Sequence, residues 1–250
     1  MKILSAVVLT PVTSYQFFKG NGGYPKFKKR HSDDGFRYPQ GFKADEDNGR
    51  LFLPKIGYVR YRNSRKIEGI PKNVTVREEA DGWYVSIQCE FALKPEISIP
   101  DIGTAVGIDM GVKRFLTLSD GIFIESLETR LKPLEDKIAL LQKRIKHKVK
   151  GSNNIKKAYL KLTLLHKRKA DIRNDFLHQV STLLVKNHDV IVIEDLKIRN
   201  MSKSAQGSIA NPGTKVKAKS GLNRSILNDA WHKFFTYLEY KLKLKGGILI

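Results

Sequence analysis

The sequence predicts a mixed α/β domain preceded by a small β-barrel-like domain, and three patterns carry this prediction. Residues 51–93 form short runs in which apolar and polar side chains alternate, as in antiparallel strands with one buried face. Residues 106–125 contain three more strand-like runs, and residues 131–183 repeat apolar side chains at the spacing of amphipathic helices. The short apolar run 189–194 then predicts a buried strand.

These patterns divide the chain into three predicted parts. Residues 1–50 form a basic, aromatic-rich segment, residues 51–100 the β-barrel-like domain, and residues 101–250 the mixed α/β domain. In the first part, aromatic rings interleave with Lys and Arg, which suits nucleic acid because cations meet phosphates and rings stack on bases. A loop whose rings fill a neighbouring core explains the same pattern equally well.

The strongest strand pattern of the β-barrel-like domain follows the turn signal Asp81-Gly82. Alternate residues of this strand predict a buried face and a wet face. The buried face would consist of Trp83, Val85, Ile87, Cys89 and Phe91. Several short strands joined by turns favour a small barrel or a curled sheet.

Cys89 is the only cysteine of the chain. A single thiol excludes an intramolecular disulfide and a cysteine-based zinc site, so zinc is not an expected cofactor. This composition fits a reducing, cytoplasmic location. No apolar stretch reaches the ~20 residues that a membrane span needs, so a membrane partner is not expected.

The chain carries a formal net charge of +21, from 46 Lys and Arg against 25 Asp and Glu. Residues 1–105 hold 17 basic and 12 acidic side chains, a net of +5, and residues 106–250 hold 29 and 13, a net of +16. This excess favours a polyanionic partner, above all nucleic acid. The alternative is a basic protein of ribosomal type or a merely soluble basic protein.

The element order of residues 101–250 describes a sheet of RNase H type. Three meandering strands, a helical crossover and a strand beside the first are predicted in that order. The crossover is a helical hairpin, whose residues 132–169 contain 13 basic and 2 acidic side chains. An ordinary solvated face carries mixed signs, so this face is predicted to follow phosphates. The basic segment 200–223 lacks core periodicity and is predicted to be a mobile loop.

Two acids lie where a carboxylate is costly unless it is paired or holds a cation. Asp109 is in the middle of the first apolar strand of the second domain, and Glu194 ends the buried strand. Paired carboxylates on adjacent strands suit Mg²⁺ or Mn²⁺, and two such ions can support phosphodiester cleavage. We therefore predict that both residues are metal ligands. The alternative is that each acid caps a strand end and meets a lysine.

Several separate motifs within residues 15–250 resemble one known family. The RuvC-type nuclease segments of TnpB/OrfB proteins from bacterial insertion sequences are similar to GIDMGVKRFLTLSDG, VIVIEDL and LNRSILNDAWHKFFTYLEYK. The wedge segment that precedes this nuclease domain in the family is similar to YPKFKKR, FRYPQGF, LPKIGYVRYRNSRKIEG and GWYVSIQCEF. The family is related to type V CRISPR effectors.

The resemblance implies a transposase-type, RNA-guided DNA endonuclease with a RuvC-like fold, whose partners are guide RNA and DNA. It also implies that Asp109 and Glu194 are the first and second catalytic carboxylates, and that 200–223 is a lid. Family members carry a third catalytic Asp and a zinc ribbon beyond the position of Ile250, and Asp229 does not match that Asp. We therefore expect a chain truncated at both ends, or a decayed copy, that does not cut DNA alone. A cleavage-deficient nucleic-acid-binding protein is the alternative function.

The predicted nucleic-acid contacts are basic residues in four places: the aromatic-rich segment, the short strands, the helical hairpin and the basic loop. They are Lys26, Lys28, Lys29, Arg30, Arg60, Arg62, Arg65, Lys143, Arg144, Lys146, Lys148, Lys215, Lys217, Lys219 and Arg224.

The charge distribution generates the first testable prediction. We expect tight, sequence-tolerant binding of RNA or DNA whose affinity falls steeply with salt, because each phosphate contact releases counterions. Titration of labelled oligonucleotides at several salt concentrations measures the slope. A flat salt response, or no binding at low salt, would contradict it.

Overall fold

The computed structural model describes residues 35–90, 103–208 and 211–250, which fall into two compact units. Residues 35–90 belong to the first unit, and the remaining described residues belong to the second. Each unit is described by itself. Most of the predicted aromatic-rich segment and of the linker 94–103 lies outside the described residues.

The described part of the first unit consists of antiparallel strands in two sheets of three strands each. The sheets have the orders β1-β5-β6 and β2-β3-β4. The strands are β1 (Gly35–Tyr38), β2 (Lys43–Asp45), β3 (Arg50–Leu53), β4 (Gly57–Arg60), β5 (Ile70–Glu79) and β6 (Gly82–Glu90).

The two sheets share one hydrophobic core, in which Leu51 and Leu53 of β3 pack with Val74 and Val76 of β5. The predicted barrel is not confirmed, because the described strands form two separate sheets and no closed barrel. Closure requires each edge strand to pair with another. The strands β2, β3 and β4 have only three or four residues, so they cover only part of the longer β5–β6 hairpin.

The β5–β6 hairpin confirms the predicted turn but corrects its buried face. Val85 and Ile87 pack against the core of the first unit, as their alternation predicts. Trp83 is 57% exposed, so its predicted burial is wrong. It lies next to the turn, where its ring contacts Phe36 at 6.2 Å between centroids, beyond the buried cluster.

A five-stranded mixed sheet forms the centre of the second unit, with the order β11-β10-β7-β8-β9. The strands β7, β8 and β9 form an antiparallel meander, whereas β10 lies parallel to β7 and β11 parallel to β10. The elements are β7 (Ala105–Met110), β8 (Arg114–Leu118), β9 (Phe123–Glu125), α1 (Glu128–Lys146), α2 (Asn153–Asn187), β10 (Val190–Ile193), α3 (Ile198–Met201), α4 (Val216–Asp229), α5 (Trp231–Lys245) and β11 (Ile248–Leu249).

The helices α2 and α5 pack against one face of this sheet and bury its apolar side chains. Phe115 of β8 lies between Phe176 of α2 and Phe234 of α5, with 5.0 Å between ring centroids in both edge-to-face pairs. Leu177 and Leu238 of the same helices are fully buried there. The core therefore occupies one side of the sheet.

The predicted basic loop 200–223 is wrong at both ends, because α3 extends to Met201 and α4 begins at Val216. Lys219 Nζ donates a hydrogen bond to the main-chain oxygen of Met201 at 2.6 Å, which joins the two helices. Asn223 adds a bond to the main-chain oxygen of Ser202 at 2.9 Å. The first half of α4 is not predicted from the sequence because it contacts α3 and the residues after it through polar groups, so it lacks the apolar spacing of an amphipathic helix.

A polar network connects the β9–α1 turn, α2 and α4. Ser126 Oγ donates a hydrogen bond to Asp229 Oδ1 at 3.1 Å, whereas Oδ2 is buried and lacks a hydrogen-bond partner among the described residues. Burial raises the pKa of the Asp229 carboxyl to about 6. The Ser126 bond opposes this shift, the charge of Glu128 adds to it and Arg173 opposes it. Folding therefore favours the protonated form of Asp229.

No helix among the described residues is both long and apolar enough to cross a membrane.

The core analysis generates a prediction for Phe234→Ala. Phe234 is fully buried, so the substitution removes its packing and leaves a cavity, and we expect a loss of about 3–5 kcal/mol in the free energy of unfolding. Leu140→Ala, at a side chain that is 50% exposed, is the control and should change this free energy by less than about 0.5 kcal/mol. Urea unfolding measures both, and equal losses would count against the assigned core.

Asp229 generates a prediction about pH. Its folded pKa of about 6 exceeds the ordinary value of 3.8, so folded protein binds more protons between these values and stability falls as pH rises through this window. A rise in pKa of this size corresponds to at most about 3 kcal/mol, and solvent screening of the partly exposed carboxyl reduces the expected loss to roughly 1–2 kcal/mol. Asp229→Asn should remove this loss, whereas the exposed control Asp136→Asn should retain it. Urea unfolding across the window measures the difference, and a wild-type slope in Asp229→Asn would exclude Asp229 as its source.

Candidate metal and nucleic-acid site

Asp109 lies on β7, and Glu194 directly follows the end of the adjacent parallel strand β10. The pairing of β10 with β7 places Ile193 beside Ile108. Glu194 follows Ile193 and Asp109 follows Ile108, so the two acids are neighbours across the strands. Ile108 is buried among the core side chains, so Asp109 points to the opposite face of the sheet. Both acids are exposed.

An open groove of about 430 Å³ contains both acids. The groove lies on the face of the sheet that carries Asp109 and Glu194, called the acid-bearing face below. Its floor includes Gly107, Thr117 and Ser119, and also the half-exposed Val192 of β10. Thr117 is the cross-strand partner of Asp109, and the main-chain N–H of Gly107 donates to Ser119 Oγ at 3.1 Å. The sequence interpretation missed these hydroxyl residues, although the hairpin register from Asp109 to Thr117 could have revealed the first.

The two acids of this groove have no hydrogen-bond or ion-pair partner for their side chains within the described residues. Within residues 35–90, 103–208 and 211–250, neither Asp109 nor Glu194 takes part in a side-chain hydrogen bond or ion pair, whereas the neighbouring Asp195 pairs with Lys197. The alternative of a structural pair with lysine therefore gains no support from the described contacts. Two adjacent carboxylates facing solvent are suited to binding a hard cation.

The described part of the chain contains no group of three or more His, Cys, Asp or Glu side chains that could hold a metal ion. Asp109 and Glu194 are thus a pair of candidate ligands there. Asp229 does not line their groove and belongs to the separate polar network.

The predicted nucleic-acid contacts have different surroundings in the two units. In the first unit, Arg60, Arg62 and Arg65 are exposed at the end of β4 and just after it. The four early residues lie outside the described residues; they are Lys26, Lys28, Lys29 and Arg30.

In the second unit, most of these cations cluster at two places. Three exposed residues belong to the last turn of α1, and Lys148 is half-buried in the loop that follows. The exposed α1 residues are Lys143, Arg144 and Lys146. At the other place, Lys215, Lys217 and Arg224 are exposed on or next to α4, whereas the ammonium group of Lys219 is engaged by α3.

Comparison with known proteins gives a consistent result. The OrfB family of IS605 type, described as "Probable transposase", matches residues 86–205. A protein of Escherichia coli K12 named "Putative RNA-guided DNA endonuclease InsQ" is 49% identical over 233 residues, which cover 92% of this chain and 57% of that protein. A Streptomyces pristinaespiralis protein, named "Putative RNA-guided DNA endonuclease", is 34% identical over 94% of this chain and 54% of its own length.

One solved structure, titled as a Cas12f1-sgRNA-target DNA complex, aligns with 72% of this chain and 35% of its own chain. Its TM-score is 0.41 at 17% sequence identity, and this level of similarity supports no inference about the site.

The chain spans somewhat more than half the length of the curated relatives that it matches. The predicted resemblance is confirmed by the family match and by the extent of the identity to InsQ. Residues 86–205 thus form a domain of the OrfB family of IS605 type, and the chain is a homologue of InsQ.

Proposed function

We propose that this chain is the nuclease-bearing portion of a transposon-encoded, RNA-guided DNA endonuclease that cleaves phosphodiester bonds with Mg²⁺ or Mn²⁺. The observation that carries the proposal is the pair of exposed acids, Asp109 and Glu194, in one open groove of the mixed sheet. The names of the two relatives support the same activity. We also propose that the chain divides into three parts, with boundaries at about residues 50 and 100. A reducing, cytoplasmic location is part of the same proposal.

The topology of the second unit supports the RuvC-like part of the proposal. An antiparallel meander, a helical crossover through α1 and α2, and a parallel strand beside β7 form the order expected of an RNase H-type sheet. Fold alone leaves the chemistry open, so the acids rather than the sheet carry the functional argument.

The side chains of the groove fit a hard divalent cation. Carboxylate oxygens are the ligands that Mg²⁺ and Mn²⁺ favour, and the side chains of Asp109 and Glu194 are available because both are exposed. Such a cation supplies charge stabilisation at the phosphate and activation of water. The protein's own contribution is a rigid sheet that holds the two catalytic carboxylates side by side.

The cationic surfaces of the second unit fit the phosphates of guide RNA and target DNA. Lys143, Arg144 and Lys146 lie in the last turn of α1, and Lys215, Lys217 and Arg224 lie at or along α4. Contacts of this kind position a backbone without reading its sequence. Sequence selection would then belong to base pairing with the guide RNA.

Metal binding tests the core of the proposal. We expect Mn²⁺ to enhance water relaxation in wild type, and Asp109→Ala or Glu194→Ala to abolish or strongly weaken this effect because each removes one of two ligands. Asp195→Ala is the matched control, since Asp195 is the exposed acid next to Glu194 but pairs with Lys197. It should bind Mn²⁺ like wild type. Equal binding in all four proteins would overturn the metal site.

Cleavage separates the nuclease from the cleavage-deficient alternative. Purified chain is incubated with RNA from the flanking locus, Mg²⁺ and target DNA, in parallel with Asp109→Ala. We expect this chain alone to show salt-sensitive binding without cleavage, because the described residues offer two carboxylates where two-metal cleavage needs more ligands. Guide-dependent cleavage that disappears in the variant would contradict this expectation and support an active nuclease.

A further inference from the structure

A β-bulge in β8 brings an arginine to the acid-bearing face of the sheet. The pairing of β8 with β9 shifts register between Arg114 and Leu116, which leaves Phe115 as the extra residue. Phe115 and Leu116 are therefore both buried in the core, and the alternation of the strand changes at this point. As a result, Arg114 does not follow Leu116 into the core but is exposed beside β9.

One row of side chains crosses the acid-bearing face from β10 to β9. The row begins at Glu194, at the end of β10, and continues with Asp109 on β7. Thr117 of β8 pairs with Asp109, and Phe123 of β9 pairs with Thr117. Phe123 is 43% exposed although it is a large apolar side chain. It is two strands from Asp109, roughly 10 Å away at the usual spacing of neighbouring strands.

The guanidinium of Arg114 lies over this exposed ring, with 3.7 Å from Cζ to the ring centroid. Glu125 is the cross-strand partner of Arg114, yet none of the ion pairs within the described residues involves Arg114. The ring thus holds the planar guanidinium of Arg114 in place on the acid-bearing face, where no ion pair neutralises the positive charge of Arg114.

We propose that Arg114 and Phe123 form a stacking platform for one nucleotide of a single nucleic-acid strand, next to the phosphate that lies at Asp109 and Glu194. A nucleic-acid strand is the occupant because the platform combines what such strands require, a planar surface for the base and a positive charge for the phosphate. This inference rests on the proposed function and gives Arg114 and Phe123 a positioning role at the β9 end of the row that begins at Glu194.

The position of the platform has a physical purpose. The acids repel the phosphate backbone in the absence of a cation, so the strand needs a separate point of attachment close to the groove. Arg114 and Phe123 provide it at a fixed distance along the sheet, and fixed placement of the reacting group lowers the entropic cost of reaction. The platform therefore affects affinity and position, while Asp109 and Glu194 retain the chemistry.

The experiment measures binding of a short single-stranded DNA that carries 2-aminopurine, whose fluorescence falls when the base stacks. We expect Phe123→Ala and Arg114→Ala each to weaken binding on the order of tenfold and to abolish the quenching. Phe123→Trp should retain both, because the indole preserves the stacking surface. Arg114→Lys should lose the quenching, because its ammonium keeps the charge but not the plane.

Two matched controls exclude simple explanations. Lys113→Ala removes one exposed positive charge next to Arg114, and Ile122→Ala removes an apolar side chain that is 59% exposed next to Phe123. Both should retain the quenching. Losses as large as those of Arg114→Ala or Phe123→Ala would mean that general charge or apolar surface is responsible, and would overturn the platform.

Mn²⁺ relaxation on the same variants separates this inference from the proposed function. Phe123→Ala should bind Mn²⁺ like wild type while it binds the oligonucleotide weakly. If Phe123→Ala has normal oligonucleotide binding while Asp109→Ala still loses Mn²⁺, the platform is wrong and the metal site stands. If Asp109→Ala retains Mn²⁺, the proposed function fails, and with it the role of Arg114 and Phe123 beside a reacting phosphate.

Discussion

The parallel pairing of β10 with β7 is the constraint on which the candidate site depends. Asp109 and Glu194 are far apart in sequence, and the register of these two strands makes them neighbours. A shift of one residue would turn the side chains of β10 to the opposite face and direct Glu194 toward the core. Burial of Ile191 and Ile108 on the core side opposes such a shift, so apolar packing on one face controls the placement of charge on the other.

The long hairpin of α1 and α2 makes this pairing possible. Parallel strands cannot be joined by a tight turn, and these helices return the chain so that β10 lies beside β7. The helices of this hairpin contribute both buried apolar side chains and exposed cations. Leu177 and Leu184 of α2 are buried in the sheet's core, whereas exposed cations such as Lys143 and Arg144 of α1 face solvent. One continuous helical hairpin therefore contributes both to the core and to the proposed nucleic-acid-binding surface.

The end of the crossover is stabilised by an ion pair rather than by apolar packing alone. Lys245 at the end of α5 contacts Asp189 before β10 at 2.8 Å, and this hydrogen bond, with the charge of Lys245, holds the pKa of the Asp189 carboxyl below its ordinary value. Gly247 then passes so close that a Cβ would lie 2.5 Å from the main-chain oxygen of Asp189. This close approach allows β11 to pair with β10.

The periodicity of the strands and helices, the excess of positive charge, the two acids and the family resemblance could all be predicted from the sequence alone. Asp109 and Glu194 could be identified because a carboxylate inside or at the end of an apolar run is unusual wherever it occurs. Three features depend on the folded arrangement: Trp83 is exposed, the described part of the first unit has two sheets, and a bulge at Phe115 turns Arg114 to the acid-bearing face. The reason is physical: alternation tells which side chains are apolar, whereas their burial depends on what packs over them, and this is determined by the register of strands distant in sequence.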